Sequence, residues 1–221
     1  MRQGYDSRLR TGDFHKLWML DLVELTDMGF AKVPPCDVIP DEYCDFTMSG
    51  MVPRYFKRTA ACHFYLDDYR FERVWNRPSY YLEVLRDFKC AIQPDFSLYL
   101  DMPRPIQMWN KYRSNILAAY WADNGIPVVP NLVWSDEESF SWCFDGIPKG
   151  SVVSTTALGT VRDREARARW EAGMRAALEA TEPSCILLYG QMPDFDFGGV
   201  KVLPYANRRI ERVRSIKRKE G

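Results

Sequence analysis

Acidic, amide, hydroxyl and aromatic side chains recur along this sequence at the points where short apolar runs end. Asp68 follows the run that begins ACHFY at residue 61, and Asp95 follows the run KCAIQ. Two carboxylates brought together can bind Mg²⁺ or Mn²⁺, or can exchange protons with a reacting group. We therefore predict Asp68 and Asp95 as catalytic or metal-binding residues. Later runs end in residues that we predict to bind a substrate: Asn131, Trp134, Thr155 and Tyr189.

Several of these residues also have a purely structural interpretation. Asp68 stands where the N-cap of a helix is expected, Trp134 is a natural core residue, and Thr155 can make ordinary turn hydrogen bonds. Asp95 is harder to explain in this way, because the sequence PDF separates an apolar run from the helix that follows it. The functional and the structural interpretations both stay open at this stage.

The sequence lacks the motifs that mark several common reaction types. It has no P-loop, no G-x-G-x-x-G and no G-x-S-x-G, and its two histidines offer few groups for histidine-dependent catalysis. The six cysteines include no C-x-x-C pair. Cys36, Cys44, Cys62 and His63 lie close in sequence, but their spacing matches no standard zinc knuckle. We therefore expect reduced structural thiols rather than zinc, and Mg²⁺ or Mn²⁺ as the metal if one is used.

From residue 61 onward, strand and helix patterns alternate five times and end in one more strand. The strand patterns are ACHFYLDD, KCAIQ, IPVVPNLVW, GSVVSTT, SCILLYG and VKVLPY. Such alternation predicts an α/β fold with parallel strands and right-handed crossovers. Units of 25–35 residues favour an incomplete, TIM-barrel-like arrangement, and an open doubly wound parallel sheet is the alternative. In both arrangements a ligand meets the carboxyl ends of the strands, where the polar residues above fall.

Two stretches, YLDDYRFERVWN (65–76) and YLDMPRPIQMWN (99–110), share six of twelve residues. The shared aspartates suit helix entry, and Trp75 and Trp109 suit packing against the sheet. We therefore interpret this similarity as mainly structural.

Charge and proline content divide the chain into three parts. Residues 1–58 read as an N-terminal arm that packs on the core, residues 59–207 as the α/β core domain, and residues 208–221 as a basic tail. The whole chain has 30 basic and 30 acidic residues, which argues against extensive nucleic-acid coating. The tail carries a net charge of +5, seven basic residues less two acidic ones. Nucleic acid or a host protein is its predicted partner, and the predicted nucleic-acid-binding residues are Arg208, Arg209, Arg212, Arg214, Lys217, Arg218 and Lys219.

No run of about 18 apolar residues is present, so no transmembrane helix or other membrane contact is expected. The N-terminal sequence MRQGYDSRLRTGDFHK lacks the apolar segment of a secretory signal. The expected location is therefore the cytoplasm.

The long stretch FYLDDYRFERVWN to SNILAAYW (64–121) resembles the uncharacterised bacterial and phage family known as domain of unknown function 4417. GIPVVPNLVW, SFSWCFDGIPKGSVVSTTALG and ILLYG resemble its later blocks in the same order. The resemblance covers about residues 62–205, and the arm and the tail fall outside it. It implies a mobile-element or prophage setting and a cytosolic protein. It supplies no catalytic residues, because no activity is assigned to the family.

Two hypotheses about function follow. The first is an enzyme with an acidic site at the strand ends, a metal-assisted phosphodiester or nucleotide hydrolase. The second is a non-catalytic module that binds nucleic acid or a host protein. A cleft that holds Asp68, Asp95 and Asn131 together would favour the enzyme, and a filled sheet interior would favour the binding module.

Overall fold

The computed structural model describes residues 13–158 and 163–206. The predicted nucleic-acid-binding residues of the tail, 208–221, lie outside these described residues.

The strands of the described residues are short and all their ladders are parallel. They are β1 (Glu42–Asp45), β2 (Ala60–His63), β3 (Cys90–Ile92), β4 (Val128–Val129), β5 (Val152–Thr156), β6 (Cys185–Tyr189) and β7 (Lys201–Tyr205). Strands β1 to β4 pair in sequence order, as do β5 to β7. A parallel bridge between Asn131 and Ser154 links the two groups just beyond β4. The predicted α/β class with parallel strands is confirmed.

Helices fill the connections, as the alternating pattern predicts. They are α1 (Arg54–Lys57), α2 (Arg73–Asn76), α3 (Pro78–Leu85), α4 (Arg104–Asp123) and α5 (Arg164–Thr181). Short 3-10 turns cover Leu17–Asp21, Phe46–Met48, Asp68–Arg70 and Glu137–Ser141. α4 starts just after Pro103 and ends before Gly125, whose φ of 82° ends the helix without strain. None of the helices in the described ranges is long and apolar enough to cross a membrane.

Side chains alternate between an inner and an outer face of the strands. The inner cluster takes residues from every strand: Tyr43, Ala61, Cys90, Ile92, Val129, Val152, Cys185, Leu187, Tyr189 and Tyr205. The outer faces pack on helices. Ile116 and Leu117 of α4 lie in the cluster that covers β2 to β4, and Trp170 and Met174 of α5 lie in the one that covers β5 and β6. The helices thus lie on one side of the strands and the aromatic interior on the other.

The first and last strands meet through side chains. The rings of Tyr43 (β1) and Tyr205 (β7) stack with centroids 4.2 Å apart, and the Tyr205 hydroxyl donates to the carbonyl of Pro40 at 2.6 Å. No ladder joins β7 to β1 within residues 13–158 and 163–206. The barrel is therefore not closed there, which agrees with the incomplete barrel and equally with its open-sheet alternative.

Part of the predicted N-terminal arm belongs to the sheet. Residues 42–45, which the sequence assigns to the arm, form β1 and pair along their length with β2. The region before them packs on α4, where the hydroxyl of Tyr112 donates to the carbonyl of His15 at 3.0 Å. The domain boundary near residue 58 stays a prediction, but the arm supplies an edge strand as well as a cover.

Because the arm covers α4 from the outside, this helix is buried on nearly all sides. Its buried residues include polar ones that an amphipathic helix would expose, among them Lys111, Arg113 and Asn115. The Nζ atom of Lys111 is fully buried, and no hydrogen-bond partner for it lies in the described part of the chain. The two tryptophans of the repeated motif, Trp75 and Trp109, pack edge to face at 5.3 Å. This contact supports the structural interpretation of the repeat.

Candidate functional site

A chain of hydrogen bonds joins two of the strands to the segments that follow three others. The amide of Asn131 donates to Asp95 Oδ1 at 2.7 Å, and its carbonyl oxygen accepts from the Tyr65 hydroxyl at 2.9 Å. The Tyr65 hydroxyl also lies 2.6 Å from Ser154 Oγ, which lies 2.7 Å from the hydroxyl of Tyr43. The residues come from β1 and β5 and from the segments that follow β2, β3 and β4. The structure thus brings Asp95 and Asn131 together, as the sequence predicts, and adds three hydroxyl groups.

Asp95 has the environment of an acid–base group. Burial raises the pKa of its carboxyl from the ordinary 3.8 to about 7; the hydrogen bond from Asn131 opposes this rise, and the negative charge of Asp68 adds to it. A carboxyl with such a pKa is part protonated and part ionised at neutral pH. It can therefore both accept and donate a proton under physiological conditions.

Asp68 holds the segment that carries Asp95. The backbone N–H of Ser97 donates to both Asp68 carboxylate oxygens at 3.2 Å, and the Ser97 hydroxyl donates to Oδ1 at 2.8 Å. The N-cap position of the short turn Asp68–Arg70 belongs to Asp67, whose side chain makes no capping hydrogen bond. Asp68 therefore does not act as the predicted helix cap but joins the loop after β2 to the loop after β3.

Helix α4 fixes the other side of the same loop. Gln93 donates through Nε2 to Asn115 Oδ1 at 2.8 Å, and Asn110 donates through Nδ2 to the carbonyl of Ser97 at 2.7 Å. The side-chain oxygen of Gln93 accepts from the backbone N–H of Asn131 at 3.0 Å. Asp95 thus lies in a segment held at both ends by buried polar side chains, which limits its freedom to move.

A buried arginine supports this arrangement from behind. Arg113 donates to both carboxylate oxygens of Glu72 at 2.7 and 2.8 Å and to Asn110 Oδ1 at 2.6 Å. Its guanidinium also lies 3.9 Å from the ring centroid of Phe96. Because Asn110 in turn holds Ser97, Arg113 positions the loop of Asp95 without belonging to the site. Sequence reasoning missed this residue, since arginine on a long charged helix gives no signal of burial.

The interior below the site is filled by stacked rings. His63 stacks on Tyr43 and Tyr65 at 5.5 and 5.6 Å, and Tyr189 lies parallel to Tyr65 at 5.0 Å. Burial lowers the pKa of His63 to about 4, so its imidazole is neutral at pH 7. The predicted substrate-binding residue Tyr189 therefore lies inside this stack, only 7% exposed, rather than at an open surface.

Two further predicted residues lie away from the hydrogen-bonded chain. Thr155 faces outward and donates through its hydroxyl to the carbonyl of Leu132 at 3.0 Å. The indole of Trp134 packs directly on α5 at Gly173. A side chain has no room at this position, because a Cβ atom added to Gly173 would lie 2.0 Å from Trp134 Nε1. The hydroxyl of Thr155 is thus engaged in a structural hydrogen bond, whereas Trp134 also lines an open cleft.

This cleft has a volume of about 590 Å³ and opens at the carboxyl edge of the sheet. Its walls come from the segments after β3, β4 and β5 and from the first turns of α5. The lining residues are Leu98, Tyr99, Leu100, Asp101, Trp134, Ser135, Leu158, Ala166, Arg169 and Trp170. The segments that carry Asp95, Asn131 and Ser154 therefore also build the cleft.

The carboxylates predicted to bind a metal, Asp68 and Asp95, lie on neighbouring loops, and both oxygens of Asp68 accept hydrogen bonds from Ser97. Within the described ranges, no group of three or more histidine, cysteine, aspartate or glutamate residues is placed to hold a metal ion. Asp68 and Asp95 supply two carboxylates, and Mg²⁺ commonly uses one or two carboxylates together with water and substrate phosphates. The six cysteines are all buried and free, and Cys36, Cys44, Cys62 and His63 form no such group.

Comparison with known proteins identifies the family. Residues 25–206 match the family described as Domain of unknown function (DUF4417). The match starts well before residue 62, where the resemblance seen in the sequence begins, and so takes in β1 and much of the predicted arm.

Two phage proteins are clear relatives, whereas no solved structure gives a significant match. The Gene 1 protein of Mycobacterium phage L5 is 37% identical over 179 residues, which cover 79% of this chain and 78% of that protein. The Gene 1 protein of Mycobacterium phage D29 is 37% identical over 186 residues, covering 80% of this chain and 69% of its own length. The chain therefore belongs to the DUF4417 family and is related to proteins encoded by phages.

Proposed function

We propose that this protein is a hydrolase of phosphodiester or nucleotide bonds in which Asp95 is the general acid–base. The observation that carries the proposal is the hydrogen-bonded chain from Asp95 through Asn131 to Tyr65, which ends at the carboxyl edge beside an open cleft. Parallel α/β proteins bind their ligands at this edge. The choice of a phosphorylated substrate draws on the phage relatives, because phages chiefly process nucleic acids and nucleotides.

In the proposed reaction a water molecule attacks the phosphorus atom. Ionised Asp95 accepts a proton from this water while the new O–P bond forms and the bond from phosphorus to the leaving oxygen breaks. The leaving oxygen then takes up a proton, either directly from protonated Asp95 or from solvent to which Asp95 releases its proton. Both routes restore the ionised carboxylate. Asn131 holds the carboxylate through Oδ1, and within the described residues Oδ2 accepts no hydrogen bond. Oδ2 is thus the atom that exchanges the proton.

A bound Mg²⁺ or Mn²⁺ would be held by Asp68 and Asp95 and would neutralise charge on the phosphoryl oxygens. Asp68 keeps Ser97 in place in either case, so its carboxylate supports the site whether or not a metal is used.

The alternative function is a non-catalytic module for nucleic acid or a host protein. The aromatic interior below the site favours it, because the rings of Tyr43, His63, Tyr65 and Tyr189 stack on one another there. The basic tail is the proposed contact for nucleic acid, through the seven residues predicted from the sequence. In both proposals the protein acts in the cytoplasm, a reducing compartment that suits six unpaired cysteines.

Hydrolysis assays at controlled pH test the enzyme proposal. Purified full-length protein is given bis(p-nitrophenyl) phosphate, a set of nucleoside mono- and triphosphates and short oligonucleotides, each with Mg²⁺, Mn²⁺ or EDTA. If Asp95 is the base, the rate should rise with pH and level off above about 7, since the ionised form is active. A metal requirement would appear as loss of activity in EDTA. Failure to turn over any substrate, combined with salt-dependent binding to the oligonucleotides, would instead support the binding module.

A further inference from the structure

The cleft at the carboxyl edge lies directly above the strand ends that carry the proposed site. Leu98 follows Asp95 by three residues, and Trp134 follows Asn131 by three. Because three residues of extended chain span about 10 Å at most, a molecule held in the cleft would lie within about that distance of the site. The inference below rests on the proposed hydrolase function and specifies what the cleft holds.

The cleft wall is mainly apolar and has an exposed aromatic ring at its rim. Tyr99 is 55% exposed and Leu100 is 52% exposed, whereas Leu98 and Trp170 are buried behind them. An exposed tyrosine next to leucine is a surface on which a flat heterocycle can stack. In the described part of the chain, no helix or loop covers this rim.

The polar groups of the cleft are few and complementary to an anion with a hydroxyl or amino group. Arg169, on the second turn of α5, is the cationic residue among the described lining residues. Its ion pair with Glu165 is long, 3.7 Å, and exposed, so the guanidinium is available to a ligand at little cost. Asp101 supplies an acceptor on the opposite segment.

A buried hydroxyl also belongs to the wall of the cleft. Ser135 is only 7% exposed, yet its Oγ has no hydrogen-bond partner within residues 13–158 and 163–206. A buried hydroxyl without a partner costs about 1–3 kcal/mol, so such groups are normally satisfied by water or by a bound molecule. Ser135 lines the cleft, so this hydroxyl adds a polar group to a wall that is otherwise mainly apolar.

We propose that this cleft binds one nucleotide unit. The base lies against Tyr99 and Leu100, and the phosphate pairs with Arg169. The volume of about 590 Å³ falls in the range of small-molecule sites and suits a single nucleotide. The nucleotide is either free or part of a strand, since both present the same base, sugar and phosphate.

Titration of full-length protein with nucleotides tests this site, read by fluorescence because Trp134 and Trp170 line the cleft. AMP, CMP, GMP and UMP are compared with adenosine, which lacks the phosphate, and with a dinucleotide and a ten-nucleotide strand. Arg169→Gln and Tyr99→Ala should each raise Kd for the best nucleotide at least 10-fold. The matched controls are Arg175→Gln, an exposed arginine further along α5, and Tyr69→Ala, a tyrosine 79% exposed outside the cleft. Both controls should change Kd less than 2-fold.

Comparison of the ligands separates the contribution of the phosphate from that of the base and sugar. Adenosine should bind more weakly than AMP and should bind equally to wild type and Arg169→Gln, because it has no phosphate to lose. Tighter binding of the strand than of every mononucleotide would identify nucleic acid as the source of the unit, and the reverse would identify free nucleotide. Melting temperatures of all variants should match wild type, since the altered side chains are partly or largely exposed.

Failure of this inference is distinguishable from failure of the hydrolase proposal. Nucleotide binding that depends on Arg169 and Tyr99, without turnover by wild type, would remove the hydrolase and leave the nucleotide site. Turnover that is unchanged in Arg169→Gln and Tyr99→Ala would keep the hydrolase and overturn the site. Absence of saturable binding by any nucleotide or strand at millimolar concentration would also overturn it.

Discussion

Replacing Asp95 with asparagine is expected to lower kcat for the hydrolysed substrate by about 100- to 10,000-fold, the usual contribution of a general acid–base group. Asparagine keeps an oxygen that accepts the hydrogen bond from Asn131 but cannot exchange a proton at pH 7. The measurement is the initial rate at saturating substrate. Asp67→Asn is the matched control, because Asp67 is an exposed neighbour of Asp68 that makes no capping hydrogen bond. A rate within 3-fold of wild type in Asp95→Asn would contradict the assignment.

The same variant should not lose stability. The pKa of Asp95 in the folded protein, about 7, lies above its ordinary value of 3.8. The folded state therefore binds this proton more tightly than the unfolded state does. The resulting contribution to the free energy of unfolding is fully present below about pH 4 and is lost as the pH rises to about 7. Asparagine stays uncharged throughout. Asp95→Asn should accordingly unfold at the same or a higher temperature than wild type at pH 8, so that a lost rate cannot be attributed to unfolding.

Replacing Lys111 with methionine is expected to raise the free energy of unfolding by about 1–3 kcal/mol at pH 7. Burial lowers the pKa of this amine from 10.5 to about 8, and the nearby acidic groups of Cys143 and Asp145 oppose this shift. Its ammonium group is thus charged, buried and without a hydrogen bond in the described residues. Methionine fills a similar volume without that cost. Urea unfolding of both proteins at several pH values measures the difference.

The pH dependence of that difference gives an internal control. Because the folded pKa of Lys111 is lowered, the cost of its charge is fully present below pH 8 and disappears as pH rises to about 10.5. The increase in the free energy of unfolding caused by Lys111→Met should therefore become smaller over this pH range. Lys149→Met, at an exposed lysine paired with Glu182, should stay within about 0.5 kcal/mol of wild type. If Lys111→Met were less stable than wild type, the amine would have a polar partner, and the loss of that interaction would cost more than the burial of the amine.

The order of strands and helices was predictable because each strand after residue 59 is an apolar run bounded by turn residues. That order alone places Asp95 and Asn131 at one edge of a parallel sheet, and these two residues do form a hydrogen bond. β1 was not predicted, because its sequence is not an apolar run. Its residues, Glu42–Asp45, are half polar and follow several prolines, so only their pairing with β2 reveals a strand.

To predict the remaining site residues, one must know which face of its strand each side chain occupies. Successive residues point to opposite faces, so Ser154 enters the interior while the predicted Thr155 points away from it. Sequence reasoning can place the end of a strand within a residue or two, and an error of one residue exchanges the two faces. Tyr65 was missed because a tyrosine at the end of an apolar run resembles any other core residue, and Tyr43 because its strand was not predicted.

Burial of polar residues on α4 was also invisible in the sequence. Lys111 and Asn115, on one face of α4, lie beside Asp145, and Asn115 also contacts the arm at Ala31. Arg113, on the opposite face, lies against Phe96 in the loop of Asp95. Their burial is set by long-range contacts, which no local pattern encodes. The support of Asp95 by Arg113 and Asn110 could therefore be recognised only in the fold.

Direct titration of the Asp95 carboxyl is the measurement that tests the account most closely. The protein is labelled with aspartate carrying ¹³C at the side-chain carboxyl, and the Asp95 signal is the one absent from the spectrum of Asp95→Asn. Its chemical shift, followed from pH 3 to pH 9, is predicted to change with a midpoint near 7. A midpoint near 4 would show an ordinary solvated carboxylate and would contradict the role of Asp95 as the acid–base group.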